Sequence, residues 1–177
     1  MTDPIAASGP APGNPAPAAS DAATPPMPPR LRATVELFTG ITDRNERIQA
    51  LIDIAKGFRD VPPHIATRPF DPAHRVPHCE SDVYIWAEPN PDSTLAFHFA
   101  VENPQGIAAR AAASILKRGL DGQPLETVAA VPPDIMYDIF GRELSMGKNM
   151  GLTAMVNTVR ALATRELNRR AGQPAAG

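Results

Sequence analysis

The chain has 177 residues, 43% hydrophobic and 20% charged, with a formal net charge of −2. That balance suits one folded domain with tails. It argues against a nucleic-acid binder, whose affinity draws on an excess of Lys and Arg, and no run approaches the roughly 20 apolar residues of a membrane-spanning helix. There is a single cysteine, Cys79. No internal disulfide can form, so any chemistry of this thiol must be completed by another molecule. No basic residue precedes Arg30 and no apolar run of signal-peptide length occurs, so a cytoplasmic location is expected.

Residues 1–30 are rich in Pro and Ala. With almost nothing to bury they are expected to form a disordered tail of polyproline character. Residues 171–177 read as a second flexible tail, leaving a folded domain over 31–170. The domain opens with helical patterning in which Val35, Leu37 and Phe38 form an apolar cluster. Thr42 or Asp43 is an N-cap for a helix from Arg44 to Gly57, with Glu46 placed as in a capping box. Ile48, Leu51, Ile52 and Ala55 share one face of it, and Pro62 and Pro63 confirm its end.

A Pro- and His-rich connection leads to Cys79, and residues 73–76 are expected to add a short edge strand before it. Val83 to Ala87 is β-branched and aromatic, and Leu95, Phe97, Phe99 and Val101 alternate. The turn signal at 89–92 makes these two runs an antiparallel hairpin. Helical patterns follow at 106–120, with Ile107, Ala111, Ile115 and Leu116 inward, and from Pro132 and Pro133 through Phe140. After a loop over 141–150 comes a last amphipathic helix whose buried face is Leu152, Met155, Val156, Val159 and Leu162. The expected fold class is α/β (α+β), a small antiparallel sheet of about three strands packed against helices.

Cys79 lies between a Pro-containing turn and the start of a strand, where a thiol is expected to be more accessible than on a helix face. The same residues invite other chemistry. His74, His78 and Cys79, with His64 or His98, offer metal ligands, but the spacing matches no structural zinc pattern. A hydrolase pairing Cys79 with His78 needs a base held in place by a third group, and an adjacent residue on extended backbone points elsewhere. An interaction domain without thiol chemistry is the remaining alternative.

The segment from Val76 to Tyr84 resembles the SufE family signature V-x-G-C-x-S-x-V-aromatic, with Val76, Cys79, Ser81, Val83 and Tyr84 in register. Leu144, Ser145, Gly151 and Leu152 are similar to a second family pattern, L-[S/T]-x-x-R-x-x-G-L, which opens the last helix. The resemblance implies a fold shared with IscU-like scaffolds. It also implies a sulfur acceptor and activator for a SufS-like, PLP-dependent cysteine desulfurase. Cys79 would carry persulfide sulfur toward iron–sulfur cluster assembly, with a downstream scaffold as a further partner. PLP would belong to the desulfurase and no cofactor to this chain; a monomer or weak dimer is expected. Such a carrier is more an accessory protein than an independent enzyme.

Attack by a thiolate on a persulfide sulfur is close kin to thiol–disulfide exchange. An ordinary cysteine is only a few per cent ionised at neutral pH, so a nearby cation that lowers the thiol pKa would help. The sequence departs from the family at two positions. His78 stands where glycine is usual and is a candidate proton acceptor or cation. Lys148 stands where arginine is usual, keeping the charge without the bidentate fork, and is a second candidate modulator.

Overall fold

Alanine at 108, 109 and 111–113 makes the stretch after Gly106 a strong helix former with very small side chains. It becomes the centre of the molecule. A computed structural model describes residues 26–172, in the order α1 (Pro29–Gly40), α2 (Arg44–Lys56), β1 (Val83–Pro89), β2 (Leu95–Val101), α3 (Ile107–Leu120), α4 (Leu125–Ala129), α5 (Ile135–Phe140) and α6 (Met146–Ala171). Helix α3 packs against α1, α2, β2 and α6. Ala109 and the alanines at 111–113, with Ile115, Leu116 and Leu120, are buried, and Ala108 is half-buried. Small side chains let neighbours approach on several sides; at Gly119 an added Cβ would lie 3.0 Å from Leu31 Cβ of α1. Ile107, expected to point inward, is exposed at the start of the helix.

The hairpin pairs Val83 with Val101 through Pro89 with Leu95. Alternation gives it two faces. Val83, Ile85, Leu95, Phe97, Phe99 and Val101 enter the main core. Trp86 and Ala100, with Tyr84 beside them, face outward and are covered by Val61, Ile65, Ala66 and Phe70 of the Pro-rich connection. Within that cover the Arg68 guanidinium lies 4.7 Å from the Phe70 ring centre, and His74 stacks on Trp86 at 5.2 Å.

The expected third strand shrinks to a single bridge, Arg75 opposite Tyr84, preceded by one 3₁₀ turn at Pro72–His74. The chemistry explains it. The Asp71 side chain accepts from Ala73 N–H and starts the turn, whereas Pro77 has no N–H with which to extend a ladder.

Helix α2 has the expected cap, Asp43, whose carboxylate accepts from Glu46 N–H at 2.8 Å. Of its apolar face, Leu51 and Ala55 are buried, while Ile52 is half-buried and Ile48 exposed. Helix α1 begins at Pro29, inside the stretch read as tail, with Leu31 and Phe38 fully buried. Residues 1–25 and 173–177, the rest of the two expected tails, lie outside the described residues. Helix α4 has no counterpart among the expected elements. Helix α6 starts at Met146, capped by the Ser145 hydroxyl, so the preceding loop is shorter than the sequence suggested. Its inner face carries Leu152, Met155, Val156 and Val159; Ala163 is buried and Leu162 only partly.

Near the end of α6, Glu166 is the one buried charged residue among those described. It accepts from Arg169 and Arg170, and Arg170 also donates to Ser93 O in the hairpin turn at 2.7 Å. Hydrogen bonding from Arg169, then Arg170, holds its carboxyl at a pKa of about 2.

Neighbouring residues on α1 give a direct test of this packing. Phe38→Ala is expected to cost about 3–5 kcal/mol of stability in urea denaturation. Leu37→Ala, at a 61% exposed site, should change stability by no more than about 0.5 kcal/mol. Equal losses would mean that α1 is not packed as described.

Candidate functional site

The cysteine lies in a tight loop between the Arg75 bridge and β1. Val76 N–H donates to Val83 O at 2.8 Å, closing the loop at its base, and Asp82 N–H donates to Cys79 O at 3.2 Å within it. Two further bonds tie the loop to the chain leaving β2: Glu102 N–H to Asp82 O and Asn103 N–H to Ser81 O, both 3.2 Å. His78 and Asp82 both take positive φ, 58° and 47°. Aspartate tolerates the left-handed region, but for histidine it costs on the order of 1 kcal/mol. The backbone at 78 thus has the conformation for which glycine is suited, and His78 adopts it.

Cys79 is 8% exposed. The expectation of an accessible loop-tip thiol is therefore corrected: Val76 and Val83 beside it are buried, and α6 closes over it. An added Cβ at Gly151 would lie 3.3 Å from both Cys79 Cα and Sγ. The two sequence patterns thus meet at one contact, and the glycine of the second makes room for the cysteine of the first. Gly147, one turn earlier, does the same for Glu80, with an added Cβ 3.1 Å from the Glu80 carboxyl carbon.

Burial pushes the Cys79 thiol pKa above its ordinary value. Hydrogen bonding from the backbone of Ser81 and Val83 pulls the other way; the Asp82 carboxylate adds to the rise and the Arg75 guanidinium opposes it. A cation lowering the thiol pKa was expected, but desolvation wins. The resting site stores a protonated, shielded thiol.

Cys79 forms part of the wall of a cleft of about 660 Å³, between α2, the start of α3 and the start of α6. Ile48 and Ile52 line it from α2, Ile107 from α3, and Lys148 and Gly151 from α6. Lys148 is exposed in the first turn of α6, where its N–H donates to Ser145 Oγ at 3.4 Å. It therefore shares the cleft with the thiol. His78 is exposed and is not among the lining residues. The histidines do not gather around Cys79: His74 is engaged with Trp86 and Ile85 O, and His98 lies 3.4 Å from Glu88. No group of three or more His, Cys, Asp or Glu is placed to hold a metal ion among the described residues.

Three participants, Arg75, Asp82 and Glu80, were not singled out from sequence. Arg75 donates through Nε to Asp82 Oδ1 at 3.0 Å and through Nη2 to the same oxygen, bracketing the loop. Glu80 packs on the start of α6. The visible signal was a pair of opposite charges, four residues before and three after the cysteine.

A family model described as "SufE: Fe-S metabolism associated domain" matches residues 32–163. The chain belongs to the SufE family. It is 25% identical over 134 residues to an uncharacterized SufE-like protein of Mycobacterium tuberculosis, covering 76% of this chain and 82% of that one. It is 22% identical over 138 residues to SufE-like protein 1, chloroplastic/mitochondrial, of Arabidopsis thaliana, covering 77% of this chain and 35% of the longer relative. The solution structure of a hypothetical protein from Thermus thermophilus superposes with a TM-score of 0.62 at 25% identity, over 80% of this chain and 98% of that one. The mixed helix-and-sheet fold is that of the family, with two strands in the sheet. No described helix is long and apolar enough to cross a membrane.

The loop clasp can be tested on the isolated protein. Asn shares the tolerance of Asp for positive φ, so Asp82→Asn removes the charge and little else. It is expected to raise several-fold the rate at which Cys79 reacts with a soluble disulfide reagent, with a stability change under about 1 kcal/mol, because the ion pair is solvent-exposed. In the wild type the pH midpoint of that reaction should lie above the roughly 8.5 of a free thiol and fall in the variant. The raised thiol pKa contributes stability below the unfolded-state pKa, and that contribution is lost as pH rises through the folded value. An unchanged rate would remove Asp82 from any role in covering the thiol.

Proposed function

We propose that this protein accepts sulfur as a persulfide on Cys79 from a PLP-dependent cysteine desulfurase and passes it toward iron–sulfur cluster assembly. The observation that carries this reading is that the chain's only cysteine lies in the wall of a cleft whose rim carries exposed apolar side chains among charged ones. Among the described residues five large hydrophobic side chains are exposed. Ile48 and Ile107 line the cleft, and Met146 and Met150 lie in the first turns of α6 beside it. Exposed apolar side chains gathered around one cleft are what a protein-docking surface requires.

In the transfer the Cys79 thiolate attacks the outer sulfur of the desulfurase persulfide. A new S–S bond forms on Cys79, the donor S–S bond breaks, and the desulfurase cysteine leaves as a thiolate. Electrons balance without an added oxidant, as in thiol–disulfide exchange. The Cys79 proton must leave first. The resting loop opposes this, so docking has to open the loop into an environment where the thiolate is less penalised. Arg75 is the cation already near the thiol; Lys148 and Arg44 line the cleft, and of these Arg44 is paired with Glu143. His78, at the positive-φ hinge, has its role in loop conformation rather than as a base beside the sulfur.

Intact-mass measurement tests the acceptor role. After incubation with a cysteine desulfurase, PLP and free cysteine, the wild type should gain one sulfur mass that reductant removes, and Cys79→Ser should gain none. A wild type that gains no sulfur, or a serine variant that stimulates the desulfurase as fully as the wild type, would refute the proposal.

Charge reversal on α6 maps the docking face. Lys148→Glu should weaken desulfurase binding and stimulation, while Arg165→Glu should leave both unchanged. The two positions stand about 26 Å apart along the helix at ~1.5 Å per residue. Arg165 is an exposed control, whereas Arg169 is bonded to Glu166 and its reversal would disturb the fold. Loss at both positions, or at neither, would displace the interface from the cleft.

A further inference from the structure

Farther along α2 and α3, away from the cysteine cleft, a second pocket of about 610 Å³ lies between the ends of these helices, the start of α1 and β2. Its walls combine apolar and cationic groups. Ile54 and Phe58 contribute half-buried apolar surface over a floor at the buried Phe99, and Arg30, Arg59 and Arg118 contribute charge. Other charges nearby are already used: Lys117 bonds to Asp121, and Asp53 accepts from Lys56 and Gln49. Arg30, Arg59 and Arg118 have no acidic partner within ion-pair distance among the described residues. The pocket therefore concentrates unneutralised positive charge on a chain whose net charge is −2.

Helix ends account for part of this. Arg118 is in the last turn of α3 and Arg59 lies just beyond α2, where cations complement the negative end of the helix dipole. Arg30 is different. It occupies the first turn of α1, where the dipole disfavours a cation and no acidic residue offsets it.

Two unmet polar groups belong to the same walls. The Ser114 hydroxyl is buried without a hydrogen-bond partner, and Ser114 lines the pocket. On β2, Phe97 gives its N–H to Asp121 Oδ1 at 2.8 Å and its carbonyl accepts from Lys117 Nζ at 2.6 Å. Strand alternation turns the Phe99 main chain toward the same edge. There no hydrogen bond from another element satisfies it among the described residues. Buried polar groups are seldom left unpaired, so orphans that share a pocket mark a place for a bound partner.

We propose that this pocket binds a small molecule with an anionic head and an apolar body. Its carboxylate or phosphate is held by Arg30, Arg59 and Arg118, and its body lies against Ile54 and Phe58. The site is independent of the thiol and does not rest on the sulfur-carrier reading.

The test uses the full chain, labelled with nitrogen-15, titrated separately with octanoate, octyl phosphate, octylamine and inorganic phosphate. Octanoate, octyl phosphate or both should produce saturable shifts centred on the Phe99 and Ser114 amides, and which of them does so identifies the head group. Octylamine and inorganic phosphate should leave these amides in place. The double variant Arg59→Gln/Arg118→Gln, altered at exposed positions, should keep the wild-type spectrum and bind more weakly by roughly tenfold or more, the worth of a charge-assisted contact. Cys79→Ser should bind as the wild type does, which separates this site from the thiol chemistry. The proposal is overturned if neither octyl anion saturates at these amides, if octylamine binds equally well, if inorganic phosphate alone suffices, or if the double variant binds unchanged.

Discussion

At Gly151 the backbone of α6 passes so close to the cysteine loop that even a methyl group would be crowded between them; an added Cβ would stand 3.3 Å from Cys79 Sγ. The properties of the site depend on this approach. It withdraws the thiol from water, which raises its pKa, and it makes the start of α6 one wall of the cleft. The position of α6 is fixed in turn by contacts with α3, α4, α5 and β1. Changes in the core are therefore felt at the sulfur through the placement of one helix.

Storage and reaction make opposite demands on the thiol. A buried protonated sulfur is inert, whereas the proposed transfer needs an exposed thiolate. The loop meets both demands by being closed with weak parts. Its hinges at His78 and Asp82 sit at positive φ, and its clasp to Arg75 is an exposed ion pair, a class worth roughly 0–1 kcal/mol. The exposed apolar side chains of the cleft lie beside this loop, so a docking partner would gain burial where it must also open the loop. Closure is marginal where motion is needed and firm elsewhere, with Phe97 and Phe99 of the hairpin fully packed in the core.

The hairpin and the cap of α2 were legible because their signals are local. Leu95 to Val101 alternates cleanly, and Asp43 stands three residues before Glu46, whose N–H it accepts. Helix α4 escaped notice because five residues are too few to display a helical period. The start of α6 is hard to read because Gly147, Asn149 and Gly151 look like loop residues. The two glycines serve packing against Glu80 and Cys79 instead. Cys79 could be picked out as the candidate thiol from the loop pattern. Its burial could not, because the covering residues lie about seventy positions away and only the tertiary fold brings them there. The role of position 78 was legible in part: the family's glycine marked a special backbone conformation, but a histidine adopting it had to be seen.

A protein with one thiol has no second cysteine with which to form an internal disulfide, so an oxidant such as a peroxide, taking two electrons and two protons from two thiols, would join two molecules through Cys79. Direct coupling requires two shielded sulfurs to meet, and each must first leave its loop. The rate of that coupling then scales with the square of the open fraction, whereas meeting with the proposed desulfurase partner would scale with its first power. A loop that is open one time in a hundred, taken as roughly the few-kcal/mol gap of a minor state, suppresses self-coupling about a hundredfold more than useful encounter. Burial of Cys79 thus acts as a kinetic filter between molecules.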